Sequence, residues 1–433
     1  ANVVPNHRFY DHVNLLSDVV SLLNEGEKRN NAGGQYMRVT HRMVFMTILF
    51  RKLAALRPDE RERLLRRSRS DIAALSEQVR PIVEGVRGGG DEALRHYTLQ
   101  FDKADLTGLP IQVSDQEIAD APNKLSRALR EAVEYAIENV RRFHDSQRRP
   151  ESEMTTVRPG IVAGERTTPI ESAGLYVPRG RGTFPSMLYM LAVPASIAGV
   201  DHIAVATPPG PDGSVDPACL YAAHLCGVHR VYRVGGAQAI AALAYGTESV
   251  RAVRKITGPG SAYVAAAKQL VADRADTGLP AGPTESILLA DGSADPRIVA
   301  LDLAIEAEHG LDSAALLVTD DEPLARTVEA ELPRIIEAAP EPRKSFLSEV
   351  FGNYGGILLA ETMAEAISFI NEYAPEHIKV QTSDPWDTLS SIRNAGEILL
   401  GEHSAFSLAN YAVGANAVLP TGGYAHTWSP VSV

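Results

Sequence analysis

Ile203-Ala-Val-Ala206, Pro217-Ala-Cys-Leu-Tyr-Ala-Ala-His-Leu-Cys226, Arg230-Val-Tyr-Arg-Val234 and Gln238-Ala-Ile-Ala-Ala-Leu-Ala-Tyr245 follow one another near the middle of the chain. The first and third are short and carry β-branched residues, as buried strands do. The second and fourth are longer and alanine-rich, as helices are. Strand, helix, strand, helix is the signature of βαβ units wound on a parallel sheet. The alternation continues with strand 255–257, helix 262–273, strand 286–290, helix 296–309 and strand 314–318. Strand 357–360, helix 363–373 and strands near 378–381 and 398–400 follow. So many units imply more than one sheet.

Upstream of residue 150 the texture is helical. Leu64, Ile72, Leu75, Val79 and Ile82 give residues 58–86 an apolar stripe, and Gly88-Gly-Gly90 is expected to stop that helix. Ser114-Asp-Gln-Glu117 has the form of a capping box, and a second helix is expected to run to about residue 144. Residues 1–50 carry no motif.

At 433 residues the chain is long for one core, so two or three domains are expected. A net charge of −12 argues against a nucleic-acid partner. Cys219 and Cys226, the only cysteines, are not spaced as C-x-x-C and read as buried thiols. Neither a disulfide scaffold nor a four-cysteine zinc site can be built. The apolar run Met43-Val-Phe-Met-Thr-Ile-Leu-Phe50 is far short of transmembrane length, and the N-terminus lacks the order of a signal peptide. No membrane partner is expected, and the cytoplasm is the expected compartment.

Ligands bind at the carboxyl ends of parallel strands. Three glycine-rich turns read as strand-to-helix junctions: Val234-Gly-Gly-Ala-Gln238, Thr257-Gly-Pro-Gly-Ser261 and Ala281-Gly-Pro-Thr-Glu285. Such turns let backbone approach a phosphate or ribose, though glycine also simply makes good turns. No G-x-G-x-x-G fingerprint occurs. Asp302-Leu-Ala-Ile-Glu-Ala-Glu-His-Gly310 reads as a helix end with Glu306 and His309 on one face. That pair reads either as metal-binding or acid–base groups, or as a solvated acidic helix end. Ala374-Pro-Glu-His377 sets a carboxylate beside an imidazole where a loop enters a strand. The two can divide water activation and proton transfer, but only if the turn bends both toward one site. The alternative is a surface glutamate and a half-buried histidine. His224, His229, His403 and His426 read as structural.

Taken together, these blocks resemble the histidinol dehydrogenase family from about residue 60 onward. Gly174-Leu-Tyr-Val-Pro178, Val193-Pro-Ala-Ser-Ile-Ala-Gly199, Gly235-Gly-Ala-Gln-Ala-Ile240 and Gly246-Thr-Glu-Ser249 carry the likeness. So do Ala281-Gly-Pro-Thr-Glu285, Ala307-Glu-His-Gly310 and Ala374-Pro-Glu-His377. The resemblance implies two Rossmann-like parallel-sheet domains of the α/β class with a helical N-terminal region. Its expected organisation is an extension at 1–57 that could serve as a dimer arm, then a helical part of the first domain at 58–177. The second domain follows at 178–287, and residues 288–433 complete the first domain with the metal and catalytic residues.

The resemblance further implies an interlocked homodimer that oxidises a small alcohol through the aldehyde to an acid, with two NAD and a zinc ion. Glu376 would activate water for the aldehyde step, and His377 would be the base on the alcohol. Tyr176 and Gln238 match NAD-contacting positions, and Ser261 stands where the family has a longer asparagine. Thr284 stands at a substrate-contacting serine, with His377 and Asn410 also on the substrate side. Glu306, His309 and Asn410 occupy zinc-ligand positions, but glutamate replaces the family's glutamine and asparagine replaces its aspartate. The exchange of amide and carboxylate leaves the charge of the set unchanged, so a reshaped zinc site is expected, with a fourth ligand from water, substrate or another group. Ala417 replaces a family histidine, and the family's tail, with a glutamate and a fourth zinc-ligating histidine for the partner's site, is expected to be missing. These departures imply a substrate that is L-histidinol or another small hydroxylated compound. The other reading is a catalytically silent relative that binds a ligand or partner.

Overall fold

The computed structural model describes residues 48–67, 72–179 and 182–433. Its strands are β1 (Phe50–Lys52), β2 (Ser152–Arg158), β3 (Ile161–Arg166), β4 (Ser172–Tyr176), β5 (His202–Ala206) and β6 (Arg230–Tyr232). They continue with β7 (Lys255–Thr257), β8 (Glu285–Ala290), β9 (Ala314–Thr319), β10 (Gly356–Leu359), β11 (His377–Gln381) and β12 (Glu397–Leu400). Two parallel sheets form, a four-stranded one in the order β6-β5-β4-β7 and a six-stranded one in the order β1-β10-β9-β8-β11-β12. The α/β class and the helical N-terminal region are as the sequence implied. Strand β1 lies inside the stretch expected to be an extension, and it pairs with β10 through Phe50 and Ile357. The expectations for residues 1–47 lie outside the described residues.

Strand residues alternate between two cores because helices cover both faces of each sheet. On β8, Ile287 and Leu289 join Phe369 and Ile370 on one side. Leu288 and Ala290 join Leu303 and Val328 on the other. In the smaller sheet Leu175 and Val205 face one core and Ala204, Ala206 and Ile256 face the opposite one. This two-sided burial explains why the strands read as continuous apolar runs rather than as alternating ones. Replacing a fully buried Leu303 by alanine would cost about 2–5 kcal/mol.

Helix starts are set by local chemistry. Asp216 accepts from the backbone N–H groups of Ala218 and Cys219, and Pro217 fixes the first helical φ. Asp295 with Pro296 does the same for helix Pro296–Ala307, which carries Glu306 in its last turn. Ser114 and Glu117 form the expected capping box.

Gly88-Gly-Gly90 ends its helix as expected: the helical run Ile72–Asp102 is two helices that meet at Gly90, where φ is +54°. The restarted backbone is held from outside, because Asp91 N–H donates to Glu248 Oε2 at 2.7 Å. The Asp91 carboxylate in turn accepts from Thr247 Oγ1 at 2.6 Å, and Val86 and Leu94 on either side of the break share one core. One expectation is corrected: Ala281-Gly-Pro-Thr-Glu285 does not leave a strand for a helix but enters β8 at its amino end.

Candidate active site

The glycine turns of the smaller sheet behave as cofactor-approach loops. Tyr176 ends β4, is buried, and its hydroxyl accepts from Gly236 N–H at 3.1 Å. Burial pushes that phenol up to about 12, so it is a neutral hydrogen-bonding group. Gln238 lies in the first turn of helix Gly236–Tyr245, buried, with Nε2 donating to Asp102 Oδ2 at 3.4 Å. Burial also raises Asp102, to about 6, against the pull of Arg179. A Cβ on Gly235 would collide with the Pro208 ring, and one on Gly258 with the Tyr176 carbonyl; Gly258 has φ +121°. At both positions only glycine fits against the neighbouring chain, which brings the turn backbone close to β4 and to the loop after β5. Ser261 caps helix Ala262–Leu270 by position, but its exposed hydroxyl makes no capping bond and stays available. The residues therefore fit a dinucleotide.

The acid–base pair lies on the other sheet, at the amino ends of its strands. Ala374, at φ +49°, turns the chain at the end of helix Met363–Tyr373. That turn is the bend the sequence reading required. Glu376 Oε1 comes to 3.8 Å from His377 Nε2. Both side chains are buried. The Glu285 backbone N–H donates to Glu376 Oε2 at 2.9 Å. His377 opens β11, and its Nδ1 sits 2.9 Å from Glu397 Oε2 on the adjacent β12, where the two residues are in register. The Phe406 ring meets the imidazole edge-on at 5.9 Å between centroids.

Burial pushes Glu376 up to about 8, against the stabilising pull of His377 and the Glu285 N–H. Burial alone would lower His377, but Glu376, Glu306 and Glu397 together outweigh it and hold the imidazole well above its ordinary range. Glu285 carries the next layer. Its carboxylate accepts from Gly422 N–H at 2.6 Å and lies 3.3 Å from Arg67 Nε, a buried ion pair. Gly282 N–H donates to Thr421 Oγ1 at 2.7 Å, so Pro420-Thr421-Gly422 grips the loop that carries Thr284. Thr284 is half-buried, and its carbonyl accepts from Ala314 N–H at 2.9 Å.

The three expected zinc positions do meet. Glu306 is fully buried; its Oε1 accepts from Asn410 Nδ2 at 2.8 Å, and its Oε2 faces His309 Nδ1 at 3.5 Å. That Oε2 has no hydrogen-bond partner, an arrangement that a bound cation would satisfy. His309 Nδ1 also lies 3.0 Å from the Ile305 carbonyl. No group of three or more His, Cys, Asp and Glu side chains with metal-site geometry occurs among the described residues, so an amide donor is needed. Turning the Asn410 amide over presents its oxygen instead. The set fits zinc with two strong donors and one weaker one.

Glu397, Glu285, Arg67 and Asp102 did not stand out in the sequence. Glu397 is one residue ahead of the expected strand 398–400, and only the parallel register sets it against His377. Asp102 sits at the end of the helix that restarts after Gly90.

Glycine-cleared turns on one parallel sheet and a buried acid–base pair on the next define a class: an α/β oxidoreductase working with a dinucleotide. Comparison with known proteins makes the class specific. The sequence pattern of histidinol dehydrogenase matches residues 65–433. A histidinol dehydrogenase of Synechocystis is 49% identical over 382 residues, covering 88% of each chain. A "histidinol dehydrogenase homolog 2" of Mesorhizobium japonicum is 47% identical, covering 89% of this chain and 88% of its own. The crystal structure of histidinol dehydrogenase from Elizabethkingia anophelis superposes with a TM-score of 0.82 at 36% identity, over 87% of this chain and 86% of that one. The chain belongs to the histidinol dehydrogenase family, whose members are NAD-dependent oxidoreductases acting on CH–OH groups and using zinc. No described helix is long and apolar enough to cross a membrane.

Proposed function

We propose that this chain oxidises a small primary alcohol, through the aldehyde, to the carboxylic acid, as a cytoplasmic homodimer. The observation that supports this most directly is the buried Glu376–His377 pair, with Glu397 behind the imidazole. In the first oxidation His377 Nε2 takes the hydroxyl proton of the alcohol while its carbon gives up a hydride. Glu376 then accepts a proton from water as the water oxygen bonds to the aldehyde carbon. His377 returns its proton to the oxyanion, and the resulting diol then gives up a second hydride, with a proton going back to His377, leaving the acid. NAD, when bound near Tyr176, Gln238 and Ser261, accepts one hydride in each oxidation. Zinc, when held by Glu306, His309 and Asn410, supplies a Lewis acid for the substrate oxygen. Glu376, Glu306 and Glu397 favour the charged imidazole, so His377 holds the proton it takes from the alcohol.

Thr284, Asn410 and His377 form the substrate side. The substrate is L-histidinol or another small hydroxylated compound. Glu285, Glu306, Glu376 and Glu397 are all buried, and of them the ion pair with Arg67 is made by Glu285. That surplus of acid favours a neutral polyol or an amino alcohol over a carboxylate or sulfonate. NADH production across a panel of alcohols that includes L-histidinol, with added zinc and with a chelator, tests the reading. Absence of NADH with every alcohol would support the second reading, a silent ligand-binding relative. The residues that favour that second reading are Asn410 and Ala417, which replace an aspartate and a histidine of the family.

A further inference from the structure

We propose that Glu397 is a positioning residue for His377: its carboxylate fixes the imidazole in the tautomer with the proton on Nδ1 and presents Nε2 to the reacting alcohol. This rests on the reading of His377 as the base. The geometry is a through-sheet relay of two residues. His377 and Glu397 are the first residues of adjacent parallel strands and lie opposite one another in the ladder. Nδ1 and Oε2 are 2.9 Å apart, both side chains are buried, and Phe406 closes the ring edge. A carboxylate only accepts, so the bond requires a proton on Nδ1. The other nitrogen, Nε2, is then the one that faces Glu376 and exchanges protons. A carboxylate behind a catalytic imidazole acts this way in hydrolase triads, by holding orientation and tautomer rather than by taking the proton.

The alternative is that Glu397 only ties β11 to β12. The two roles separate on Glu397→Gln, which keeps the shape and removes the obligate acceptor. For a positioning role, kcat falls by two to four orders of magnitude with KM changed less than about threefold. Nitrogen-15 histidine spectra, taken at alkaline pH where the imidazole is neutral and assigned with His377→Gln, then show His377 shifting from one tautomer to a mixture. Glu397→Asp, which restores the acceptor on a shorter arm, recovers the tautomer and part of kcat. An unchanged His377 tautomer in Glu397→Gln overturns the proposal, whether activity is kept or is lost together with thermal stability. If Glu397→Gln does not fold, the wild-type spectrum decides: a proton on Nε2 with Nδ1 bare overturns the proposal, and a proton on Nδ1 supports it. The spectra need no substrate, so a protein that oxidises no alcohol would sink the proposed function while leaving this reading testable.

Discussion

Glu376 takes a hydrogen bond from the backbone of Glu285, whose own side chain is locked to Arg67 and Gly422. The water-activating carboxylate is therefore held by a strand end rather than by a mobile loop. A group so placed keeps its geometry when its chemistry is changed.

That gives a clean substitution. Glu376→Gln should spare oxidation of the alcohol to the aldehyde and slow acid formation by about a hundredfold or more. Trapping the aldehyde in single-turnover reactions would measure the split. Equal losses in both steps would contradict the assigned role. In the wild type the carboxylate form is the active base, and burial raises Glu376 to about 8. Acid formation should therefore quicken as pH climbs through about 8.

Zinc binding can be read without turnover. Glu306→Ala removes the orphaned carboxylate and should lower zinc affinity by at least about tenfold, seen by metal analysis after dialysis and as a lost zinc-dependent rise in melting temperature. Asn410→Asp supplies a charged oxygen and should tighten zinc. Zinc content unaffected by Glu306→Ala would remove Glu306 from the ligand set.

Lys268 offers a stability test with a defined sign. Its buried ammonium donates to the Gly258 carbonyl at 2.5 Å, and burial lowers it to about 8. The folded state thus releases its proton more readily than the unfolded chain, so this lysine destabilises most below pH 8, by up to about 3 kcal/mol. That penalty fades as pH rises toward 10.5. Lys268→Met should gain stability at neutral pH, with the gain shrinking between about pH 8 and 10.5 in urea titrations. It should also weaken NAD binding, because the Gly258 turn loses its tie.

Gly258→Ala tests the cofactor turn directly. Its φ of +121° and the Tyr176 carbonyl leave no room for a methyl group. The variant should lose about 2 kcal/mol or more of stability and raise KM for NAD. A variant with unchanged stability and KM would mean that the turn relaxes freely.

The fold was readable from sequence because burial on both faces of a parallel sheet writes itself as short apolar runs. Ile203–Ala206 and the strand around Ile287 were visible for that reason. The glycine turns at Gly235 and Gly258 follow the carboxyl ends of β6 and β7, as the sequence reading expected. The acid–base pair does not. Glu376, His377 and Glu397 sit at amino ends, where a loop returns to the sheet. Glu376 and His377 were caught by adjacency and resemblance, whereas Glu397 depends on register between distant strands. Register is a tertiary property, and no local pattern announces it. The stop at Gly90 was legible, but the restart at Asp91 is held by Glu248, more than a hundred residues away, and was not.

The pairing of β1 with β10 has a temporal side. Phe50 cannot find Ile357 until some three hundred further residues have left the ribosome, on the order of tens of seconds at usual elongation rates. The β4–β7 sheet, all within residues 172–257, is complete long before. The nascent chain should thus assemble its nucleotide-facing sheet first and shut the catalytic sheet last, with β1 waiting as an unpaired strand. Limited proteolysis of stalled chains ending between residues 280 and 400 would track that order; early protection of residues 50–57 would contradict it.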